Sequence, residues 1–320
     1  MRVGIVGAGR TRQGLGPFLA RWLEAAGAQV IGVSGRERAR ARAAAASLTS
    51  SLRHPVACYA DAQELARAVD LLVVACPIEG HLAGLDAALD AGVPCLCEKP
   101  LVSWADWERG LERVAAFRER GLLLVENCQW PFVLPALDAL YPEARKRPIR
   151  SIAMRLSPAW PGPTMLEDSL SHALSLLQAL VTVPADAHLG AVTQTDARAD
   201  ATENLVRFRV HGGAEEVQVE LHLKCAAEQP RPAWFSVEGA RLDRQVGEDY
   251  AISFRGADGR EANVQDPLAS LVYGLLADLK ANERDRSDAA ADAISLRLRL
   301  YGQICERLDG GGEQPPFGSR

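Results

Sequence analysis

The 320 residues carry 48% hydrophobic and 24% charged side chains and a formal charge of -5, the balance of a globular protein long enough for two domains of ordinary size. There is no basic stripe or polybasic motif to attract nucleic acid or an anionic membrane, and no apolar run approaches the ~20 residues that a spanning helix needs. Seven cysteines, an odd number scattered through apolar runs, read as reduced thiols of a cytoplasmic protein and not as a disulfide framework.

The chain opens on the apolar run Val3 to Val6, which reads as a first strand and not as a secretion signal. Short β-branched runs then alternate with helical patterns. Strands are expected at Val3 to Val6, Gln29 to Val33, Val56 to Tyr59, Leu71 to Ala75, Pro94 to Cys97 and Leu122 to Val125. Helices are expected at Phe18 to Ala26, Arg36 to Ala46, Asp61 to Ala68, Leu82 to Ala91 and Trp104 to Arg118. This rhythm is that of a parallel, doubly wound α/β sheet, a Rossmann domain over residues 1–125.

From residue 126 to 320 the rhythm changes to an α+β pattern. A helix over Val133 to Leu140 is followed by a strand at Ser151 to Leu156 and a helix from Thr164. Alternating stretches follow at Ala191 to Thr195, Asn204 to Val210, Glu215 to Leu223, Ala233 to Glu238 and Tyr250 to Phe254. Polar turns such as His211-Gly212-Gly213 point to a large, mostly antiparallel sheet open on one face. Helices at Leu268 to Ala281 and Asp288 to Leu308 complete this substrate-binding and oligomerisation domain.

Gly7-Ala8-Gly9 directly follows the first strand and precedes a helix, so the backbone can turn tightly and admit a pyrophosphate to the helix N-terminus, with Arg10 and Thr11 continuing the turn. The third glycine of the usual fingerprint is replaced by Arg12, and Gly14 and Gly16 come late. The end of the second strand chooses between nicotinamide cofactors, since a carboxylate there suits the ribose 2′-hydroxyl and cations suit a 2′-phosphate. Here the chain reads Ser34-Gly35-Arg36-Glu37-Arg38, a hydroxyl and two guanidinium forks, which favours NADP(H) over NAD(H).

Lysine is scarce: Lys99, Lys146, Lys224 and Lys280 are the only ones among 36 basic residues. Lys99 follows a buried strand at the end where open α/β sheets bind ligands, and its compact ammonium can hydrogen-bond a substrate oxygen. In the second domain, Thr164 and Glu167 have the spacing of a capping box, so a helix is expected to begin there. On that helix Asp168, His172 and Ser175 share one face at i, i+4 and i+7, which lets a carboxylate orient an imidazole as a proton relay.

With Ala75-Cys76-Pro77, His81 and Cys97-Glu98-Lys99-Pro100, and with Asp90-Ala91-Gly92-Val93 and the stretch Asn127 to Pro135, the chain resembles the Gfo/Idh/MocA oxidoreductases along nearly its whole length. The resemblance implies that Lys99, Asp168 and His172 are catalytic. It also implies a cis bond at Lys99-Pro100 and a cofactor pocket that includes Cys76, Pro77, His81, Glu98, Lys99 and Pro100. Trp130 and Trp160 are expected to shape the substrate pocket. Two positions depart from the family pattern, Leu170 for a common glycine and Ser175 for a common aspartate.

These residues point to reversible hydride transfer between nicotinamide and a carbinol or carbonyl carbon of a small sugar- or cyclitol-like molecule, with no metal needed. The departures leave open a reductase of a C=N or C=C bond in a less polar molecule, and a regulator that binds nucleotide without catalysis stays a third reading. The resemblance further implies that the open sheet face pairs, giving a homodimer or homotetramer.

Overall fold

The computed structural model describes residues 1–9, 14–212, 215–247, 251–281 and 283–309. The first six strands are β1 (Arg2–Val6), β2 (Gln29–Ser34), β3 (Ala57–Cys58), β4 (Leu71–Val74), β5 (Cys95–Cys97) and β6 (Leu124–Glu126). All pair parallel, in the order β3-β2-β1-β4-β5-β6. A sheet with crossover helices is covered on both faces, so its strands must be apolar on both sides. Accordingly Leu71, Leu72, Val73 and Val74 are all fully buried. Helices α1 (Gly16–Ala25), α2 (Arg38–Leu52), α3 (Ala62–Ala66), α4 (His81–Ala91) and α5 (Trp107–Glu119) lie between the strands. The helix expected from Trp104 begins instead with a single 3-10 turn at Trp104–Asp106.

After α6 (Leu134–Leu140) come β7 (Ser151–Leu156), α7 (Pro163–Leu180), β8 (His188–Gln194), β9 (Glu203–Gly212), β10 (Glu215–Lys224), β11 (Trp234–Val237), β12 (Ala240–Val246), β13 (Ile252–Gly256) and β14 (Glu261–Asn263). They form an eight-stranded sheet ordered β14-β13-β12-β11-β7-β10-β9-β8, antiparallel except where β7 runs parallel to β10. Period-2 alternation sorts the faces: Ile152, Met154, Val219, Leu221, Phe208, Phe235 and Leu242 are buried on one side. Cross-strand ion pairs such as Arg207–Glu220 at 2.8 Å occupy the other side. Strands β12 and β14 were not expected from the sequence. Tyr250, expected to start a strand, lies outside the described residues, as do the turn residues after Gly212.

The helices α8 (Pro267–Ala281) and α9 (Arg284–Asp309) correct the expected division of the chain. One compact unit is Met1–Asn127 with Leu268–Leu298, and the other is Cys128–Pro267 with Arg299–Arg320, so the C-terminal part does not follow 126–320 as a block. The physical reason is burial. Ala291, Ile294 and Leu298, at helical spacing, join the core formed by Val102, Val114, Phe117 and Leu124, and Arg118 ties Asp292 at 2.7 Å. Among the described residues no helix is long and apolar enough to cross a membrane.

Candidate active site

The β1 turn is fixed by contact with its neighbours. Gly7 has φ 88°, and a Cβ there would stand 2.5 Å from the backbone of Cys76, so only glycine lets the turns after β1 and β4 lie together. Its amide donates to the Ser34 carbonyl at 2.9 Å, and the Ala75 amide donates to Val6 at 2.8 Å. A Cβ on Gly16 would stand 2.6 Å from Ala8 Cα. Gly16, which looked merely late in the fingerprint, is thus the glycine that seats α1 on the turn. Gly9 borders the described segment, and Arg10, Thr11 and Arg12 lie outside it.

At the end of β2 the Ser34 hydroxyl is 2% exposed and has no hydrogen-bond partner among the described residues. Gly35 is not demanded by space, since a Cβ there would make only an ordinary 3.7 Å contact with Ala41. Arg36 and Arg38 are exposed, and among the described residues neither forms an ion pair, whereas Arg40 is tied to Glu37 at 2.9 Å. The first turn of α2 holds no acidic residue. Two guanidinium groups therefore add to the positive end of the helix dipole.

Lys99 and Glu98 follow the fully buried β5, and the Lys99-Pro100 bond is cis. The loop is tied at three points. His81, 2% exposed, sets Nδ1 3.0 Å from the Pro100 carbonyl and Nε2 2.9 Å from the Cys76 carbonyl, linking the loops after β4 and β5. Burial pulls its pKa below the ordinary 6.5, with the surrounding carbonyls acting in the opposite sense. Pro77 precedes the short turn Ile78–Gly80 that leads into this histidine. The Leu101 amide donates to Glu126 at 3.0 Å, and Glu126 in turn pairs with Arg297 of α9 at 2.6 Å, both side chains deeply buried. Asn127 donates to Glu98 at 2.6 Å. Glu126 and Arg297 were not singled out from the sequence, and Asn127 only as the start of the stretch Asn127 to Pro135. The available signal was a carboxylate ending an otherwise apolar strand. Burial also pushes the Cys76 thiol up to about 11, so it stays protonated.

In the other unit, α7 starts differently from expectation. The cap is Gly162, at φ 75°, followed by Pro163 at the first helical position, and no side chain caps the end. A Cβ on Gly162 would strike the Ala199 carbonyl oxygen at 2.1 Å. The Thr164–Glu167 box does not form because the chain is already helical at Thr164. Asp168 is exposed, His172 half-buried and Ser175 3% exposed, so the polar stripe dips inward along the helix, and the Ser175 hydroxyl donates to the His172 carbonyl at 2.9 Å. Leu170 is fully buried.

The His172 ring meets Trp130 edge-on at 6.5 Å, and Trp130 meets Phe235 at 6.1 Å and Phe254 at 6.3 Å. Trp130 is thus the anchor behind the histidine. Trp160 is 61% exposed and takes no part in this cluster. Lys99 stands in the first unit, and Asp168 and His172 stand in the second.

Residues 1–127 match the family model described as an oxidoreductase family with an NAD-binding Rossmann fold, Gfo/Idh/MocA. Through this segment the chain is similar to the NAD-binding domain of the Gfo/Idh/MocA oxidoreductases. Inositol 2-dehydrogenase 1 of Saccharopolyspora erythraea is 39% identical over 110 residues, which cover 33% of this chain and 30% of that protein's length. Beyond the Gfo/Idh/MocA segment the likeness is structural. UDP-N-acetylglucosamine 3-dehydrogenase from Acidithiobacillus ferrooxidans superimposes with a TM-score of 0.66 at 21% identity, covering 95% of this chain and 96% of that one. A 3-ketoreductase variant from Actinomadura kijaniata, in complex with TDP-benzene and NADP, gives 0.69 at 20% identity, covering 95% and 96%. An oxidoreductase from Agrobacterium radiobacter, in complex with NAD+, L-tartaric acid and magnesium, gives 0.68 at 12% identity, covering 98% and 97%. At these identities the likeness shows the two-part fold alone.

Proposed function

We propose that the chain is an NADP(H)-dependent oxidoreductase that moves a hydride between nicotinamide and a carbinol or carbonyl carbon of a sugar- or cyclitol-like substrate. One observation carries the reading. The strand order reverses between β1 and β4, and the Gly7, Cys76 and Lys99 turns all follow the C-terminal ends of neighbouring strands β1, β4 and β5, where open α/β sheets bind nucleotides. The fit of a nicotinamide nucleotide is supported by the glycine-dependent β1 turn and by the buried Ser34 hydroxyl that lacks a partner among the described residues. Arg36 and Arg38 at the positive end of α2 favour a 2′-phosphate, hence NADP(H).

The bound nucleotide would donate or accept the hydride at C4 of its nicotinamide. Within the chain, residues 7–9 accept the pyrophosphate against the start of α1. Lys99, its loop held by His81 and Glu126, orients and polarises the substrate oxygen. His172 exchanges the proton of the substrate hydroxyl, its ring braced by Trp130, and Asp168 one turn earlier orients it. The sugar- or cyclitol-like class draws on the inositol and UDP-sugar dehydrogenases among the relatives.

The test is a panel of cyclitols, aldoses and nucleotide-linked sugars assayed with NADP+, and of the corresponding ketones with NADPH, on wild type, Lys99→Ala and His172→Ala. Turnover by wild type with kcat lowered by about 10²- to 10⁴-fold in both variants, the range for loss of a positioned acid or base, supports the reading. Turnover unaffected by either change contradicts it.

A further inference from the structure

Strand β12 contains one residue that breaks its own pattern. Ala240, Leu242, Arg244 and Val246 alternate onto the face that packs against the core, and register confirms it: Leu242 opposes the fully buried Phe235, and Arg244 opposes the fully buried Phe254. An arginine thus stands where the alternation calls for an apolar side chain. Positions that violate local consistency are expected at functional sites.

The surroundings of Arg244 lack the usual compensation. Its guanidinium donates from Nη2 to the Arg231 carbonyl at 2.8 Å, and its Cζ lies 5.9 Å from the centroid of Trp130. Among the described residues Nε has no hydrogen-bond partner and the side chain makes no ion pair. Burial, and after it the like charge of neighbouring Arg231, pull Arg244 below its ordinary pKa. A charge largely withdrawn from water without an opposite charge is costly, and a planar guanidinium fork matches a carboxylate or phosphate in two parallel hydrogen bonds. Trp130 neighbours both Arg244 and the His172 ring, at 5.9 and 6.5 Å. The cation is therefore one aromatic ring away from the histidine.

We propose that Arg244, with Arg231 beside it, is the subsite for an oxyanion of the substrate, a carboxylate or phosphate carried by the molecule whose hydroxyl or carbonyl group His172 serves. This rests on the oxidoreductase reading of His172 and narrows it to anionic substrates, a sugar acid or a phosphate-linked sugar.

The probes are malonate and inorganic diphosphate, titrated calorimetrically into protein saturated with NADP+, so that the nucleotide turn is filled before the anion is added. Wild type, Arg244→Gln and Arg244→Lys are compared, with NADPH affinity and melting temperature measured for each. Binding of either probe to wild type, weakened at least tenfold in Arg244→Gln and less in Arg244→Lys while NADPH affinity stays within twofold, supports the subsite. Malonate alone indicates a carboxylate substrate, and diphosphate alone indicates a phosphate-bearing one. Neither probe binding to wild type, or equal binding to wild type and both variants, overturns the proposal. Should Arg244→Gln fail to fold, the Arg244→Lys comparison decides. Failure of wild type to bind NADPH would instead strike the oxidoreductase reading, and malonate titrated without nucleotide would still test Arg244.

Discussion

His81 shows how one buried side chain can hold a loop while remaining sensitive to pH. A neutral imidazole has one N–H to give, yet two carbonyl oxygens face its nitrogens, those of Cys76 and Pro100. Burial keeps the ring neutral by lowering its pKa from 6.5. With the folded value below the unfolded one, the unfolded chain binds more protons in the interval between them, so stability rises with pH there. The contribution is complete above pH 6.5 and is lost as pH falls toward and through the folded value. Melting temperature measured from pH 8 to 5.5 should therefore drop below pH 6.5, and His81→Asn should flatten this step. An equal step in the variant would assign the pH dependence to other groups. None of this was visible from spacing. Likewise, Ser175 reads as part of a polar face, but a small hydroxyl can satisfy itself on the carbonyl one turn back and be buried, which no pattern of residue types reveals.

At the scale of elements, the strands and helices of the first unit were legible because a buried parallel strand has little freedom of composition. Leu71–Val74 is apolar at every position, and the helix after it ends at Gly92 with φ 69°, a left-handed stop that glycine takes without strain. Strand β12 was not legible because its inward positions include Arg244, and β14 because three residues are too few for a period. The start of α7 was misread because the capping-box spacing is local, whereas the actual boundary is set by a distant chain segment, the Ala199 carbonyl, against Gly162. The loop bearing Lys99 likewise depends on a residue 171 positions beyond Glu126 in sequence, Arg297. Removing one member of so buried a pair leaves an uncompensated charge. Arg297→Met should cost about 3 to 5 kcal/mol in denaturant unfolding. The double variant Glu126→Leu/Arg297→Met should recover part of that loss, retaining about 1 to 3 kcal/mol for the Leu101 amide left without its acceptor. A double variant less stable than Arg297→Met would show that the pair is not coupled as described.

For the whole molecule, the alternation of strand and helix announces a nucleotide-binding sheet, and the later run of strands announces an antiparallel one, because each sheet type constrains the composition of its strands. The return of residues 268–298 to the first unit could not be read in the same way. An apolar stripe such as Ala291, Ile294 and Leu298 states that a helix buries a face but not against which core. The sequence singled out the candidate residues one by one, Lys99 by its scarcity and strand-end position, Asp168 and His172 by helical spacing. The supports Glu126 and Arg297 emerge from three-dimensional packing, as does the contact by which Trp130 braces His172.

In the proposed function the first unit binds a nicotinamide nucleotide through the Gly7 turn and selects its 2′-phosphate with Arg36 and Arg38. Fluorescence titration of the purified protein with NADPH and with NADH tests it directly, repeated on Arg36→Ala. NADPH is expected to bind at least tenfold tighter than NADH, about 1.4 kcal/mol or more, with the difference largely erased in the variant. NADH binding as tightly as NADPH would contradict the 2′-phosphate assignment, and binding of neither nucleotide would contradict the account as a whole.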